Sequence, residues 1–263
     1  MTKIYAVVNQ KGGVGKTTTV INLSAYLASK GRRVLIADID PQANATSGIG
    51  IDKYTLDKSM YNVLLEEAAI GDAVQQLTEF NLDLLPSHPS LAGAEVELVN
   101  AIGREYRLQK GFESIDGRYD YILIDCPPSL GLLTVNALTA AKDGVLIPVQ
   151  CEYLALEGLT QLMQTIELVQ KYLNPALDVR GLIMTMYDGR TNLSRQVVEE
   201  VRSYFPGKVF RTIVPRNVRL SEAPSYGQPI NVYAPKSPGA IAYQILTAEL
   251  LKGDAKLKSG DSQ

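Results

Sequence analysis

The strongest chemical signal in this chain is one octet: positions 11–18 read KGGVGKTT, directly after the apolar run of residues 4–8 and at the head of a helix-patterned segment. Glycines there free backbone N–H groups to turn inward around an anion, and a helix start adds its positive dipole end. Lys16 then reaches the outer phosphates, and the Thr17 hydroxyl can ligate magnesium. Lys11, Gly12, Gly13, Val14, Gly15, Lys16, Thr17 and Thr18 therefore read as a phosphate-binding loop for a nucleoside triphosphate. The usual pattern G-x-x-x-x-G-K-[ST] opens on glycine, whereas here that place is Gln10 and a second lysine, Lys11, follows it. So close to the loop entrance, Lys11 can cross a symmetric dimer and neutralise the partner's phosphates in trans, as an arginine finger does.

Carboxylates complete the site. In a doubly wound sheet the ligand sits beyond the carboxyl ends of the strands, so acidic residues that end strands point at it. Asp38 and Asp40 in ADIDPQ and Asp125 in YILID meet that rule. Asp38 and Asp125 suit the waters of a magnesium ion held by Thr17, and Asp40 remains to orient or activate the attacking water. Many fast P-loop ATPases carry a Glu general base directly after the Asp125 position, where this chain has Cys126. Unassisted hydrolysis is expected to be slow, which suits a timer or switch.

The elements that must position these groups follow from the apolar pattern. Short β-rich runs alternate with helical segments, the signature of an α/β, doubly wound, mostly parallel sheet flanked by helices. Strands are expected at residues 4–9, 33–38, LDLLP, 120–125, 144–149 and 181–186. Helices are expected at 16–30, where Val20, Leu23 and Leu27 share a face; from a Ser59 cap to residue 65; and at 91–110, 156–172, 193–204 and 240–251. With 263 residues, 46% hydrophobic, the chain can bury a full core, and no linker divides it. One domain over residues 1–252 is expected, with 253–263, polar and small, as a disordered tail. No apolar stretch approaches the ~20 residues of a bilayer span, and MTKIYAVV lacks the regions of a signal peptide, so a cytoplasmic location is expected. Cys126 and Cys151 read as buried reduced thiols, and His88 as a loop residue. Formal charge is only −2, yet Arg190, Arg195, Arg202, Lys208, Arg211, Arg216 and Arg219 face only Glu199 and Glu200 over residues 190–219, a locally cationic face.

KGGVGKTT with Lys11, DIDPQANATSGIG, DCPPSLGLLTVNAL, VQCEYLALEGL and RNVRLSEAPSYG together resemble the ParA/Soj family of partitioning ATPases, P-loop NTPases with a deviant Walker A loop. The match runs across nearly the whole chain. The resemblance implies ATP and Mg2+ as cofactors, an ATP-sandwich homodimer, and binding of that dimer to double-stranded DNA without sequence preference. It also implies chromosome or plasmid segregation, with release from a nucleoid-associated state when a ParB/Spo0J-like protein stimulates slow hydrolysis of ATP to ADP. By position, the cross-dimer lysine falls on Lys11, the phosphate lysine on Lys16, the magnesium threonine on Thr17 and the water-positioning aspartate on Asp40. VPRNVRLSEAP resembles the adenine-side loop, which gives Pro215 and Asn217 the base. The DNA arginines correspond to Arg190 and Arg219, with Lys208 and Lys236 as weaker additions. A MinD-like positioning ATPase acting on a membrane or protein cargo is the alternative, but KGDAKLKSGDSQ offers only Ala255 and Leu257 as apolar residues, so no membrane partner is expected.

Overall fold

Strands that are apolar on both faces up to their last residue can be satisfied only when both of those faces are covered. That is the situation of VLIAD and YILID in the computed structural model, which describes residues 2–153 and 156–260. Seven strands, β1 (Lys3–Val7), β2 (Val34–Asp38), β3 (Gln75–Leu77), β4 (Leu82–Leu85), β5 (Tyr121–Asp125), β6 (Val145–Gln150) and β7 (Val179–Thr185), form one sheet in the order β3-β4-β2-β5-β1-β6-β7. All neighbours are parallel except the β3–β4 edge pair, which is antiparallel.

Successive residues of each strand feed opposite layers. Leu35, Ile122 and Ile147 pack with Leu133 and Ala137 of helix Leu132–Ala140 and with Leu162 and Ile166 of helix Glu157–Tyr172. Ile36, Leu123 and Leu146 pack on the other side with Val20, Leu23 and Leu27 of helix Lys16–Ser29 and with Tyr243, Leu246 and Leu250 of helix Pro238–Gly260. From β1 the chain winds one way to β2, and after β5 it returns the other way to β6. The reversal opens a crevice at the carboxyl ends of β1 and β5, where a ligand of such a fold binds. No helix among the described residues is long and apolar enough to cross a membrane.

Two expectations are corrected. The helix expected over 91–110 is broken into helices Leu91–Glu97 and Arg107–Glu113 with single 3-10 turns at Leu98–Asn100 and Arg104–Tyr106. Gly103 turns the chain at φ 66°, and Asn136 of the neighbouring helix takes the freed backbone, donating to the Arg104 carbonyl at 2.9 Å and accepting from the Leu108 N–H at 3.2 Å. The tail expected from residue 253 is instead helical as far as Gly260. Asp254, only 3% exposed, accepts from the Tyr5 hydroxyl at 2.8 Å, the Tyr121 hydroxyl at 2.9 Å and Arg180 Nη2 at 3.0 Å, which ties the last helix to β1, β5 and β7. Residues 261–263 of that expected tail lie outside the described residues.

Candidate nucleotide and DNA sites

β1 delivers the chain into the crevice, and the loop that follows turns at Gly13 and Gly15, with φ 72° and 90°. Gly15 stands at the start of helix Lys16–Ser29, and no side chain caps that start. Its first N–H groups are thus left for an anion, and a residue with a Cβ would be strained at that φ. Asn9 holds the loop from below, accepting from the Lys11 N–H at 2.9 Å and donating to the Pro148 carbonyl at 2.7 Å.

Lys16 is 7% exposed and its Nζ donates to the Lys11 carbonyl at 3.3 Å. Burial lowers its pKa, opposed by the negative field of Asp125. Thr17, Thr18, Gly12, Gly13 and Asp40 line the same cavity, of about 560 Å³. A second cavity of about 320 Å³ is lined by Pro215, Asn217 and Val214, and shares Gly15, Thr18, Met186 and Leu220 with the first. The two cavities therefore adjoin along shared residues. Lys11 is exposed and lines neither cavity.

Asp38 and Asp125 are register partners at the ends of β2 and β5, both fully buried. Asp38 accepts from the Asp40 N–H at 3.1 Å and from the N–H and hydroxyl of Thr46, both at 2.8 Å. Burial, against those hydrogen bonds, pushes its carboxyl up to about 7. Its oxygens hold the turn after β2, beside the position expected for the waters of a magnesium ion. Asp125 differs: neither oxygen makes a hydrogen bond, and burial together with the Asp38 charge pushes its carboxyl well up, with Thr17 and Lys16 acting the other way. A buried carboxylate without a donor, beside a threonine hydroxyl at the phosphate loop, fits a site completed by a hydrated magnesium ion. Asp40 is 6% exposed; its Oδ1 accepts from the Gln42 N–H at 2.9 Å and its carbonyl from the Ser87 hydroxyl at 2.7 Å.

Asn217 accepts from the Arg219 N–H at 3.0 Å, capping helix Val218–Glu222. This leaves its amide NH2 as the donor it offers the cavity. Both cysteines are buried and free, and burial pushes the Cys151 thiol up to about 12.

Arg190 is 87% exposed along its side chain and pairs with Asp188 at 2.7 Å, while Arg219 pairs with Glu222 at 2.8 Å. Lys236 is exposed on the loop before the last helix. Lys208 is not brought together with Arg190. Its Nζ donates to Asp178 at 2.6 Å and to the Val179 carbonyl at 3.0 Å, at the start of β7, whereas Arg190 follows the end of that strand. A strand of 7 residues separates the two ends by ~20 Å. Sequence reasoning also missed Thr185 and Met186. Thr185 could have been found by the same rule that found the aspartates, as a polar residue ending a strand; the left-handed backbone of Met186, φ 52°, has no signature in its residue type.

A family model described as an AAA domain matches residues 2–179. The sporulation initiation inhibitor protein Soj of Bacillus subtilis is 58% identical over 250 residues, covering 95% of this chain and 98% of that protein. The chromosome partitioning protein ParA of Myxococcus xanthus is 55% identical over 252 residues, covering 96% and 89%. Among solved structures, one described as cobyrinic acid a,c-diamide synthase of Mycobacterium smegmatis, with an ATP analogue and magnesium, superposes with a TM-score of 0.87 at 42% identity, covering 99% of this chain and 97% of that one. A phosphate loop with its second lysine, strand-end aspartates around it, and identity above one half to Soj and ParA along nearly the whole length lead to one conclusion: the chain belongs to the ParA/Soj family of chromosome-partitioning ATPases.

Proposed function

We propose that this protein is an ATP-operated partitioning switch that dimerises around nucleotide and holds DNA only in that state. The observation that carries the reading is the division of labour between two lysines: Lys16 is buried in its own cavity, and Lys11 is exposed and outside it. A cation in the loop that does not serve its own phosphates is available to a partner's.

Within one subunit, the N–H groups at the head of helix Lys16–Ser29 and the Lys16 ammonium hold the phosphates. Pro215 and Asn217 hold the base. Magnesium, held by the Thr17 hydroxyl and through its waters by Asp125, supplies neutralising charge when bound. Asp40 accepts a hydrogen bond from the attacking water and orients it, while Asp38 keeps Asp40 in place through the Asp40 N–H. Lys11 from the second subunit completes the charge around the phosphates. Cys126 stands where a general base would, so turnover waits for a stimulating protein of the ParB/Spo0J kind.

Arg190 and Arg219 contact DNA phosphates, with Lys236 nearby in sequence to the same loops. Phosphate contacts carry no sequence information and release counterions, so binding is sequence-indifferent and steeply salt-dependent. This would make the protein cytoplasmic and nucleoid-associated. The test is retention on an unrelated duplex with ATP or ADP across a salt series, with Arg219→Glu alongside. ATP-dependent, salt-sensitive retention lost in the variant is expected; no retention in any nucleotide state overturns the DNA reading.

A further inference from the structure

β7 ends at Thr185, and that residue touches the phosphate loop. Its hydroxyl donates to the Val14 carbonyl at 2.9 Å, its own carbonyl accepts from the Cys151 N–H at 3.0 Å, and it is 2% exposed. A Cβ placed on Gly15 would stand 3.9 Å from the Thr185 methyl, so loop and strand end are in contact on two sides. Met186 follows and lines both cavities. Tyr187 then pairs with the adenine-side segment: its N–H donates to the Val214 carbonyl at 3.1 Å and its carbonyl accepts from the Arg216 N–H at 2.9 Å, an isolated parallel bridge to Pro215.

Both arginines hang from that bridge. Arg190 lies in a turn braced by Ser194, whose hydroxyl accepts from the Asp188 N–H at 3.3 Å, and by Thr191, whose hydroxyl donates to the Asp188 carbonyl at 3.0 Å. Arg219 lies in the turn of helix that Asn217 caps. Thr185 is hydrogen-bonded to Val14 and Tyr187 to Val214 and Arg216, and the two are joined by one intervening residue, Met186, so the phosphate loop connects through the backbone to residues 188–190 on one side and 214–219 on the other. Any shift of the Val14 carbonyl on phosphate binding would reach β7 directly through the Thr185 hydroxyl.

We infer that Thr185 is a positioning residue that couples the phosphate loop to the placement of Arg190 and Arg219, so that nucleotide state sets DNA affinity within each subunit as well as through dimerisation. The inference rests on the DNA role of those two arginines. Valine fills the same space but cannot donate to Val14, and serine can.

The experiment compares wild type, Thr185→Val and Thr185→Ser, each at ATP or ADP concentrations shown by titration to saturate it. Dimer fraction is read by sedimentation, and retention on an unrelated duplex at fixed salt is read in parallel. In Thr185→Val the ratio of ATP-state to ADP-state DNA affinity, at matched dimer fraction, is expected to fall about fivefold to tenfold, the factor associated with one neutral hydrogen bond. Thr185→Ser is expected to restore it. A Val variant equal to wild type at matched dimer fraction overturns the inference, as does a Ser variant as defective as Val. Wild type that fails to hold DNA with ATP removes the DNA reading itself, and the coupling with it. Should Thr185→Val not fold, hydrogen exchange on wild type decides: the amides of residues 186–191, 214 and 216–219 are expected to change protection together with the loop when a non-hydrolysable ATP analogue replaces ADP. Change confined to the loop overturns the coupling.

Discussion

Two aspartates two residues apart, Asp38 and Asp40, differ in what their oxygens already hold. Asp38 has spent its oxygens on Thr46 and on the backbone of Asp40, while Asp40 lines the cavity. Asp40→Ala should therefore bind ATP, dimerise and remain on DNA, with single-turnover phosphate release slowed roughly 100-fold; release at the wild-type rate would remove Asp40 from the reaction. The effect of Asp38 on stability against pH has the opposite sign to that of a salt-bridged carboxylate. Its folded pKa of about 7 lies above an unfolded value near ~3.9, so folding favours the protonated form and stability is lost as pH rises between those values. Asp38→Asn is permanently neutral. In chelator, the stability of Asp38→Asn relative to wild type should rise with pH up to about 7 and then level off, as read by urea unfolding across pH; a flat difference would place the proton elsewhere. Strand-end position is what singled out Asp38, Asp40 and Asp125 in the sequence, and the structure places Asp38 and Asp125 opposite each other at the ends of β2 and β5. A division of roles was also read from the sequence, but which oxygens are already held by donors was not, because hydrogen bonds from Thr46 and from Ser87, 47 residues from Asp40, fix that.

At the scale of elements, the heads and cores of strands and helices were readable where one physical cause acts locally. Gly31 ends the first helix at φ 75°, and the Ser59 side chain caps helix Met60–Leu64 with Asn62 returning the bond. Elements failed to be readable where a distant partner decides. The break at Gly103 is held by Asn136, and the continuation of the last helix is held by a buried acid in a segment whose composition looks like a solvated tail. Asp254→Ala strips Arg180, 16% exposed along its side chain, of its partner and leaves two tyrosine hydroxyls without their acceptor. Loss of one member of a buried ion pair costs roughly 3–5 kcal/mol, so this single change near the chain's end should lower unfolding stability by that order. A loss below about 0.5 kcal/mol, as for an ordinary surface site, would mean that the last helix is not anchored there.

For the whole molecule, the question is how one subunit's site depends on another. Lys16→Ala should abolish ATP binding in equilibrium titration. Lys11→Ala should bind ATP and remain monomeric in sedimentation with ATP, since Lys11 lines neither the phosphate-loop cavity nor the one beside Pro215 and Asn217; ATP-dependent dimers at wild-type concentrations would refute the trans role. The basic residues between 190 and 219 illustrate the limit of reading charge along a chain. Their proximity in sequence joined Lys208 to Arg190, but β7 carries them to opposite ends of the sheet, where Lys208 is tied to Asp178 and Val179. Sequence alone determined the loop, the sheet class and the family, because glycine at a positive-φ turn, lysine beside phosphate and apolar strands between helices are demands that residue type and order express directly. Only the tertiary structure decided which carboxylate is unpartnered, that Lys208 lies at the opposite end of β7 from Arg190, and that the phosphate loop meets the end of β7 at Thr185. Each of these depends on hydrogen bonds between residues tens to hundreds of positions apart, and neither spacing nor composition encodes which distant donor meets which acceptor.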